Sequence, residues 1–277
     1  MGVNRPDRGR QEGGLHAGWR RRGALAVGIP AVLVIVAALL GLTPFPVVSG
    51  DEPTVEDLIN RMDRLYRSET SYAEVEMAIV TPNWERTLRM QMWTEGMEKT
   101  LVAILSPKKE KGIATLRIGT EMWNYFPRIN KVMKVPPSMM MGAWMGSDFT
   151  NDDVVKESSL TRDYSCAFED SGRDDVYRIA LAPREDTPTV WGKIVFTVRR
   201  KDLIPLEEVF YDEDGEPIRT MAFRDEKMLG GRFLPAVLEM VPLNKKGHKT
   251  VIRYLDARFD ADLEADVFTL RRLRSRR

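Results

Sequence analysis

Residues 86–95 read RTLRMQMWTE, and within them Leu88, Met90 and Met92 alternate with Arg89, Gln91 and Trp93. Side chains of an extended strand point to opposite faces in turn, so this period of two marks a strand with two unlike environments. Similar strand-like runs occupy 100–105, 113–118, 121–126, 130–135, 163–168, 176–182, 190–199, 206–211, 218–224, 233–241 and 249–257. Turn chemistry separates the later ones: Asp212-Glu213-Asp214-Gly215, then Gly230-Gly231, then Asn244-Lys245-Lys246-Gly247. Such turns join neighbouring antiparallel strands without crossover helices. The expected class is α+β, mainly antiparallel β, with a strongly curved sheet or open barrel as its product.

Two helices interrupt the pattern. Thr54 precedes an acidic first turn with Glu56 and Asp57, and Leu58, Ile59, Met62 and Leu65 recur at helical spacing, with Tyr66 extending the stripe. Thr150 with Asp153 three residues on predicts a capping box opening a helix over 150–158. That same reading absorbs Asp148, Asn151, Asp152 and Asp153, whose spacing lacks the glycine and distal bidentate glutamate of a calcium loop. Asp212 and Asp214 are hairpin residues. No metal or cofactor is expected.

Upstream of residue 50 the chain changes character. Arg5, Arg8, Arg10, Arg20, Arg21 and Arg22 precede nineteen mostly apolar residues, Ala24 to Leu42. A run of that length can cross a bilayer, and arginines on its N-terminal side hold that end in the cytoplasm. The expected organisation is a basic cytoplasmic segment over 1–23, a transmembrane anchor or signal-peptide apolar core over 24–42, and a linker or cleavage region over 43–52. One domain over 53–273 and a basic tail over 274–277 follow. The domain is thereby expected in the periplasm, secreted or tethered to the bacterial inner membrane. From residue 51 onward 36 basic side chains face 39 acidic ones, a net charge of −3 that argues against nucleic acid as partner. The ending RRLRSRR reads as a solvated tail or as a contact with anionic lipid head groups.

Little in the chain points to catalysis. Of two histidines, His16 precedes the apolar run and His248 stands beside a turn. There is no nucleophile elbow, phosphate-binding glycine loop or zinc spacing. The single cysteine, Cys166, shares a strand face with Tyr164 and Phe168 and reads as a small buried hydrophobe. The expectation is a binding protein and not an enzyme, with an envelope hydrolase near His248 as the remote alternative. Methionine, by contrast, is abundant, with 15 residues. The stretch KVMKVPPSMMMGAWMGSDF, residues 131–149, places Met133, Met139, Met140, Met141, Trp144, Met145 and Phe149 in a segment broken by prolines and glycines. Methionine repacks easily around varied ligands, so this segment reads either as a loop tucked on the core or as an adaptable apolar lid.

MWNYFPRINKVMKVPP (122–137) and MGSDFTNDD (145–153), preceded by LSPKKEKGIATLRI (105–118) and ending DVFTLRRL (266–273), resemble the outer-membrane lipoprotein-sorting proteins, relatives of the periplasmic lipoprotein carrier LolA. The resemblance implies a LolA/LolB-like fold, an open half β-barrel closed by helices around an apolar cavity that takes lipid or lipoprotein acyl chains. On that footing Leu88, Met90, Met92, Leu116 and Ile118 are expected to form the cavity floor, with Trp123, Tyr125, Met140, Trp144 and Met145 nearer its mouth. The implied function is a carrier of lipid or lipoprotein towards the outer membrane. A tethered domain would instead act beside an inner-membrane exporter, and the same fold would serve an envelope regulator. In those roles Lys108, Lys109, Glu110, Lys111 and the arginine tail would be polar contacts to a protein partner.

Overall fold

Ser71, Ala73, Val75, Met77 and Ile79 are buried while the residues between them are half-exposed, which makes Thr70–Val80 the first strand. The sequence reading above omits this strand, although its alternation is as regular as that of residues 86–95. The computed structural model describes residues 52–155, 160–185, 187 and 189–275. The expected cytoplasmic segment, apolar anchor and cleavage region up to residue 51 lie outside the described residues, as do 156–158 of the second helix and Arg276 and Arg277. Among the described residues no helix is long and apolar enough to cross a membrane.

Thirteen strands follow in order: β1 Thr70–Val80, β2 Glu85–Glu95, β3 Lys99–Ser106, β4 Ala114–Ile118, β5 Glu121–Phe126, β6 Lys131–Lys134, β7 Tyr164–Glu169, β8 Val176–Pro183, β9 Lys193–Arg199, β10 Ile204–Tyr211, β11 Pro217–Leu229, β12 Arg232–Pro242 and β13 Lys249–Phe259. They form one sheet ordered β6-β5-β4-β3-β2-β1-β13-β12-β11-β10-β9-β8-β7, antiparallel throughout. Two sequential meanders are thus stitched together where β1 pairs with β13. The sheet is not closed, because β6 and β7 are free edges. Residues 135–163 connect those edges and carry the methionine-rich segment, α2 (Asn151–Val155) and α3 (Leu160–Asp163).

Four ladders slip register, and each slip leaves one residue unpaired: Leu105 in β3, Leu206 in β10, Ile218 in β11 and Leu255 in β13. A bulge bends its strand and increases the local twist. It also resets which side chains point to which face. In β10, Pro205 faces inward, and the extra residue Leu206 makes Glu208 and Phe210 the next inward positions, leaving Glu207 exposed.

The helix α1, Val55–Asp63, forms as its sequence dictates. The Thr54 hydroxyl accepts from the Asp57 N–H while the Asp57 carboxylate accepts from the Thr54 N–H, completing a capping box. Leu58 and Ile59 are fully buried against Ile179, Leu181, Phe196 and Val198 of the later strands. On the earlier half of the same face, Val75, Met77, Ile79, Leu88, Met90, Val102 and Ile104 pack with Trp144.

The opposite face of β3–β5 has its own cover. Leu101, Ala103, Leu116 and Tyr125 pack under Val267 and Leu273, and Leu273 lies in α4, Leu270–Ser275. The C-terminal arginines up to residue 274 therefore belong to a docked helix and not to a free tail, and Arg272 pairs with Glu264. The domain boundary expected at 273 falls inside this helix. Phe168 also departs from expectation: it is exposed on the edge strand β7, whereas Tyr164 is buried and Cys166 half-buried.

Gly230 in the β11–β12 turn has φ +56°, and a Cβ there would lie 2.7 Å from the Ala257 carbonyl oxygen and 2.8 Å from the Phe259 ring. Gly230→Ala combines left-handed backbone with a clash, so it is expected to destabilise the domain by about 1–3 kcal/mol, read by urea denaturation. A change below about 0.5 kcal/mol would show that the turn relaxes freely.

Candidate functional site

Between α1 and the later strands lies a cavity of about 300 Å³. The helix contributes Met62 and Asp63, and Leu65, Tyr66 and Arg67 follow from the segment after it. The sheet supplies inward positions of consecutive strands: Ile194 and Phe196 from β9, Pro205, Glu208 and Phe210 from β10, Arg219, Met221 and Phe223 from β11, Leu238 and Met240 from β12. Phe149, Asp153, Leu160, Tyr164 and Trp191 complete much of the wall. Most of this surface is apolar and aromatic, as in pockets that hold small ligands, and the volume sits at the lower end of their range.

Charged groups stand inside that apolar wall. The Arg219 guanidinium donates through Nη1 and Nη2 to the two Asp153 oxygens, at 2.8 and 2.6 Å. Its plane lies 4.4 Å from the Trp191 ring centroid and 4.1 Å from that of Phe210. Burial acts to raise the Asp153 carboxyl, but the hydrogen bonds and charge of Arg219, helped by Thr150, outweigh it and hold the carboxyl below its ordinary value. The same Asp153 closes the expected capping box of α2, accepting from Thr150 N–H at 2.7 Å while its own N–H donates to the Thr150 hydroxyl at 3.0 Å.

Two further carboxyls lack such compensation. Glu208 is only 6% exposed and has no hydrogen-bond or ion-pair partner among the described residues. Burial pushes it up to about 8, with Asp153 and Asp63 adding to the effect and Arg219 opposing it. Asp63 accepts from the Leu160 N–H at 2.9 Å, yet burial pushes it up to about 7 despite that bond and the charges of Arg64 and Arg67, with Asp163 adding to the rise. Tyr66 donates to the Pro235 carbonyl at 2.8 Å and stacks on Tyr254, 4.6 Å between centroids. Burial pushes Tyr254 up to about 12, and raises Tyr66 as well.

The ten residues expected to line one lipid site are divided by the sheet. Leu88, Met90, Met92, Met140, Trp144 and Met145 pack together on the inner face. Leu116, Ile118, Trp123 and Tyr125 lie on the other face, under the C-terminal segment. The ladder explains the split: Met92 pairs with Val102, Val102 with Thr115 and Thr115 with Asn124, so the inward row continues through Thr115 and Asn124. Trp93, Leu101, Leu116 and Trp123 form the adjacent row, which points outward. A single floor made of both sets is therefore corrected to two separate clusters. None of the ten lines the cavity beneath α1.

The methionine-rich segment is partly tucked and partly open. Trp144 is buried and its Nε1 donates to the Thr115 hydroxyl at 3.2 Å. Arg86 donates to the Met145 carbonyl, and Met140 and Phe149 pack on the core. Met139 and Met141 remain exposed. His248 Nδ1 stands 3.9 Å from Asp148, whose carboxylate also accepts from Thr250, tying this segment to β13. Glu110, expected as a surface contact, is buried with Arg86 Nη1 3.6 Å away. Among the described residues no group of three or more His, Cys, Asp or Glu is placed to hold a metal ion.

Glu208 and Arg219 escape the sequence reading because charged residues in strands are taken as solvated; Asp63 is not singled out on its helix, and Asp153 is read only as the capping partner of Thr150. A signal was present for Arg219, which shares its strand parity with Met221 and Phe223. A charge on the apolar parity of a strand marks a buried polar group.

A family model described as "Uncharacterized protein" matches residues 96–275. No curated protein matches the chain. Among solved structures, a DUF1329 family protein from Desulfovibrio piger is similar with a TM-score of 0.70 and 23% identity, over 79% of this chain and 97% of that one. A putative outer membrane lipoprotein-sorting protein domain from Vibrio parahaemolyticus follows at TM-score 0.66 and 22% identity, over 78% and 97%. A LolA superfamily protein from Nitrosomonas europaea has a TM-score of 0.65 and 21% identity, over 79% and 99%.

Proposed function

Because the chain belongs to the family whose model spans residues 96–275 and has the fold of outer-membrane lipoprotein-sorting, LolA-like proteins, we propose that it is a carrier or adaptor for lipid or lipoprotein acyl chains. The open antiparallel sheet is read as a half-barrel, with α1 and the 135–163 connection over its inner face. The domain works on the outer side of the inner membrane, released or held there by residues 24–42. The observation that carries the proposal is the apolar cavity between α1 and β9–β12.

The energetics suit a carrier. Each buried methylene is worth about 0.8 kcal/mol, so a sixteen-carbon chain brings roughly 12 kcal/mol of transfer free energy. A carrier must come close to the membrane's own attraction in order to receive a lipid, and must not exceed it or release fails. A small cavity with flexible Met62, Met221 and Met240 in its wall meets both conditions better than a rigid complementary one. Its volume suits part of one chain at a time.

The test is mass spectrometry of organic extracts from the natively purified full-length protein and from Met221→Trp, whose indole would fill the cavity from β11. Wild type is expected to carry acyl lipid or lipoprotein in stoichiometric amount, and the variant to lose it while keeping its melting temperature within about 5 °C. A lipid-free wild-type extract, or unchanged retention in the folded variant, would overturn the proposal.

A further inference from the structure

The acyl-chain cavity holds a carboxyl with no hydrogen-bond partner among the described residues, and its chemistry selects the end of the ligand. Glu208 reaches the cavity from the inward side of β10, more than nine-tenths buried and without a hydrogen-bond partner among the described residues. The cationic and hydroxyl groups around it are engaged, apart from one guanidinium nitrogen. Arg219 spends both terminal nitrogens on Asp153, which balances its charge, and its Nε is buried without a hydrogen-bond partner. Arg67 donates to the Gly96 carbonyl and the Thr100 hydroxyl, Tyr66 to Pro235, and the Tyr164 hydroxyl lies 3.1 Å from that of Thr189. Asp63 approaches from α1 with one oxygen held by Leu160 N–H. Among the described residues a bound carboxylate or phosphate would meet Glu208, Asp63 and Asp153, and Arg219, its charge already balanced by Asp153, would offer it only the buried Nε. A donor would find an acceptor waiting.

We propose that this cavity selects amphiphiles that carry an amino group, with the ammonium seated on Glu208 beside Asp63 and the hydrocarbon along Phe196, Leu238 and Met240. The inference rests on the acyl-cavity reading and narrows its ligand class. A buried acid without a partner is costly, and a charge-assisted hydrogen bond to an ammonium removes that cost while a hydrocarbon end does not. The bulge at Leu206 supports the assignment, since it turns Glu208 into the cavity and leaves Glu207 in solvent.

The test uses the full-length protein and three probes with one ten-carbon tail: decylamine, decanol and decanoate, titrated calorimetrically at about pH 9, where Glu208 is ionised and the amine still protonated, below their micellar concentrations. Decylamine is expected to bind at least about tenfold more tightly than decanol, with decanoate weakest. In Glu208→Gln, the preference for decylamine over decanol should be lost. Equal binding of amine and alcohol, or an amine preference that survives Glu208→Gln, would overturn the inference and leave the acyl cavity standing. Binding of none of the three would overturn both. The wild-type ranking decides the matter even if the variant fails to fold.

Discussion

Asp153→Ala is expected to lower the stability of the domain by about 3–5 kcal/mol, because it strands the Arg219 charge in the interior. The Arg219 side chain is 5% exposed, and both its terminal nitrogens are aimed at the missing carboxylate. The rings of Trp191 and Phe210 packed against the guanidinium offer no hydrogen-bond acceptor. The same substitution removes the residue that closes the α2 capping box with Thr150. For a domain of this size the loss corresponds to roughly 6–20 °C in Tm. Denaturant unfolding reads the free energy directly. A double variant, Asp153→Ala with Arg219→Met, should recover most of the loss, since a well-packed apolar pair often replaces a buried ion pair at little cost. A single-variant loss below about 1 kcal/mol would mean that Arg219 finds another route to water.

Glu208→Leu should move stability the other way, and only above acidic pH. In the folded protein the Glu208 proton is held to about pH 8, whereas the ordinary value for the unfolded chain is 4.5. Between those values the native state binds the extra proton, so stability falls as pH rises, by up to about 1.4 kcal/mol per unit, and levels off above pH 8. Asp63 adds the same sign over its own window, from 3.8 to about 7. The charged groups facing Glu208 are Arg219 from β11, Asp153 from α2 and Asp63 from α1, and only the first favours ionisation. Leucine removes the Glu208 contribution. The variant is expected to gain on the order of 3–4 kcal/mol over wild type at pH 8 relative to pH 4.5, with wild-type and variant urea curves compared at both pH values. A gain independent of pH would show that the effect is packing alone.

Much of the architecture was legible in the linear pattern. The alternation in 86–95 and its later counterparts, with Asp-Gly, Gly-Gly and Lys-Gly turns, points to an antiparallel meander, and twelve of the thirteen strands fall where that pattern lies. Thr54 and Thr150 mark helix starts correctly, because a capping box is a contact between residues three apart and needs no tertiary information. The missed strand β1 shows the same alternation and was legible too.

The candidate site was less so. Alternation states that two faces differ, but not which face of one strand continues onto which face of the next; register decides that, and register is set by pairing across the sheet. Hence Leu116 and Trp123 lie with Leu273 on one face while Met90 lies with Trp144 on the other.

The sequence by itself determined the antiparallel class, the helix caps and the likeness to lipoprotein-sorting proteins, all of which depend on local spacing and composition. Only the tertiary structure decided that β1 joins β13 and that Arg271, Arg272 and Arg274 ride on a docked helix. It alone decided that Glu208, rather than its neighbour Glu207, enters the cavity, since one unpaired residue at Leu206 reverses the parity of everything after it. Burial and charge pairing arise from chain segments far apart in sequence, and Asp63, Asp153, Glu208 and Arg219 meet only when the sheet has formed.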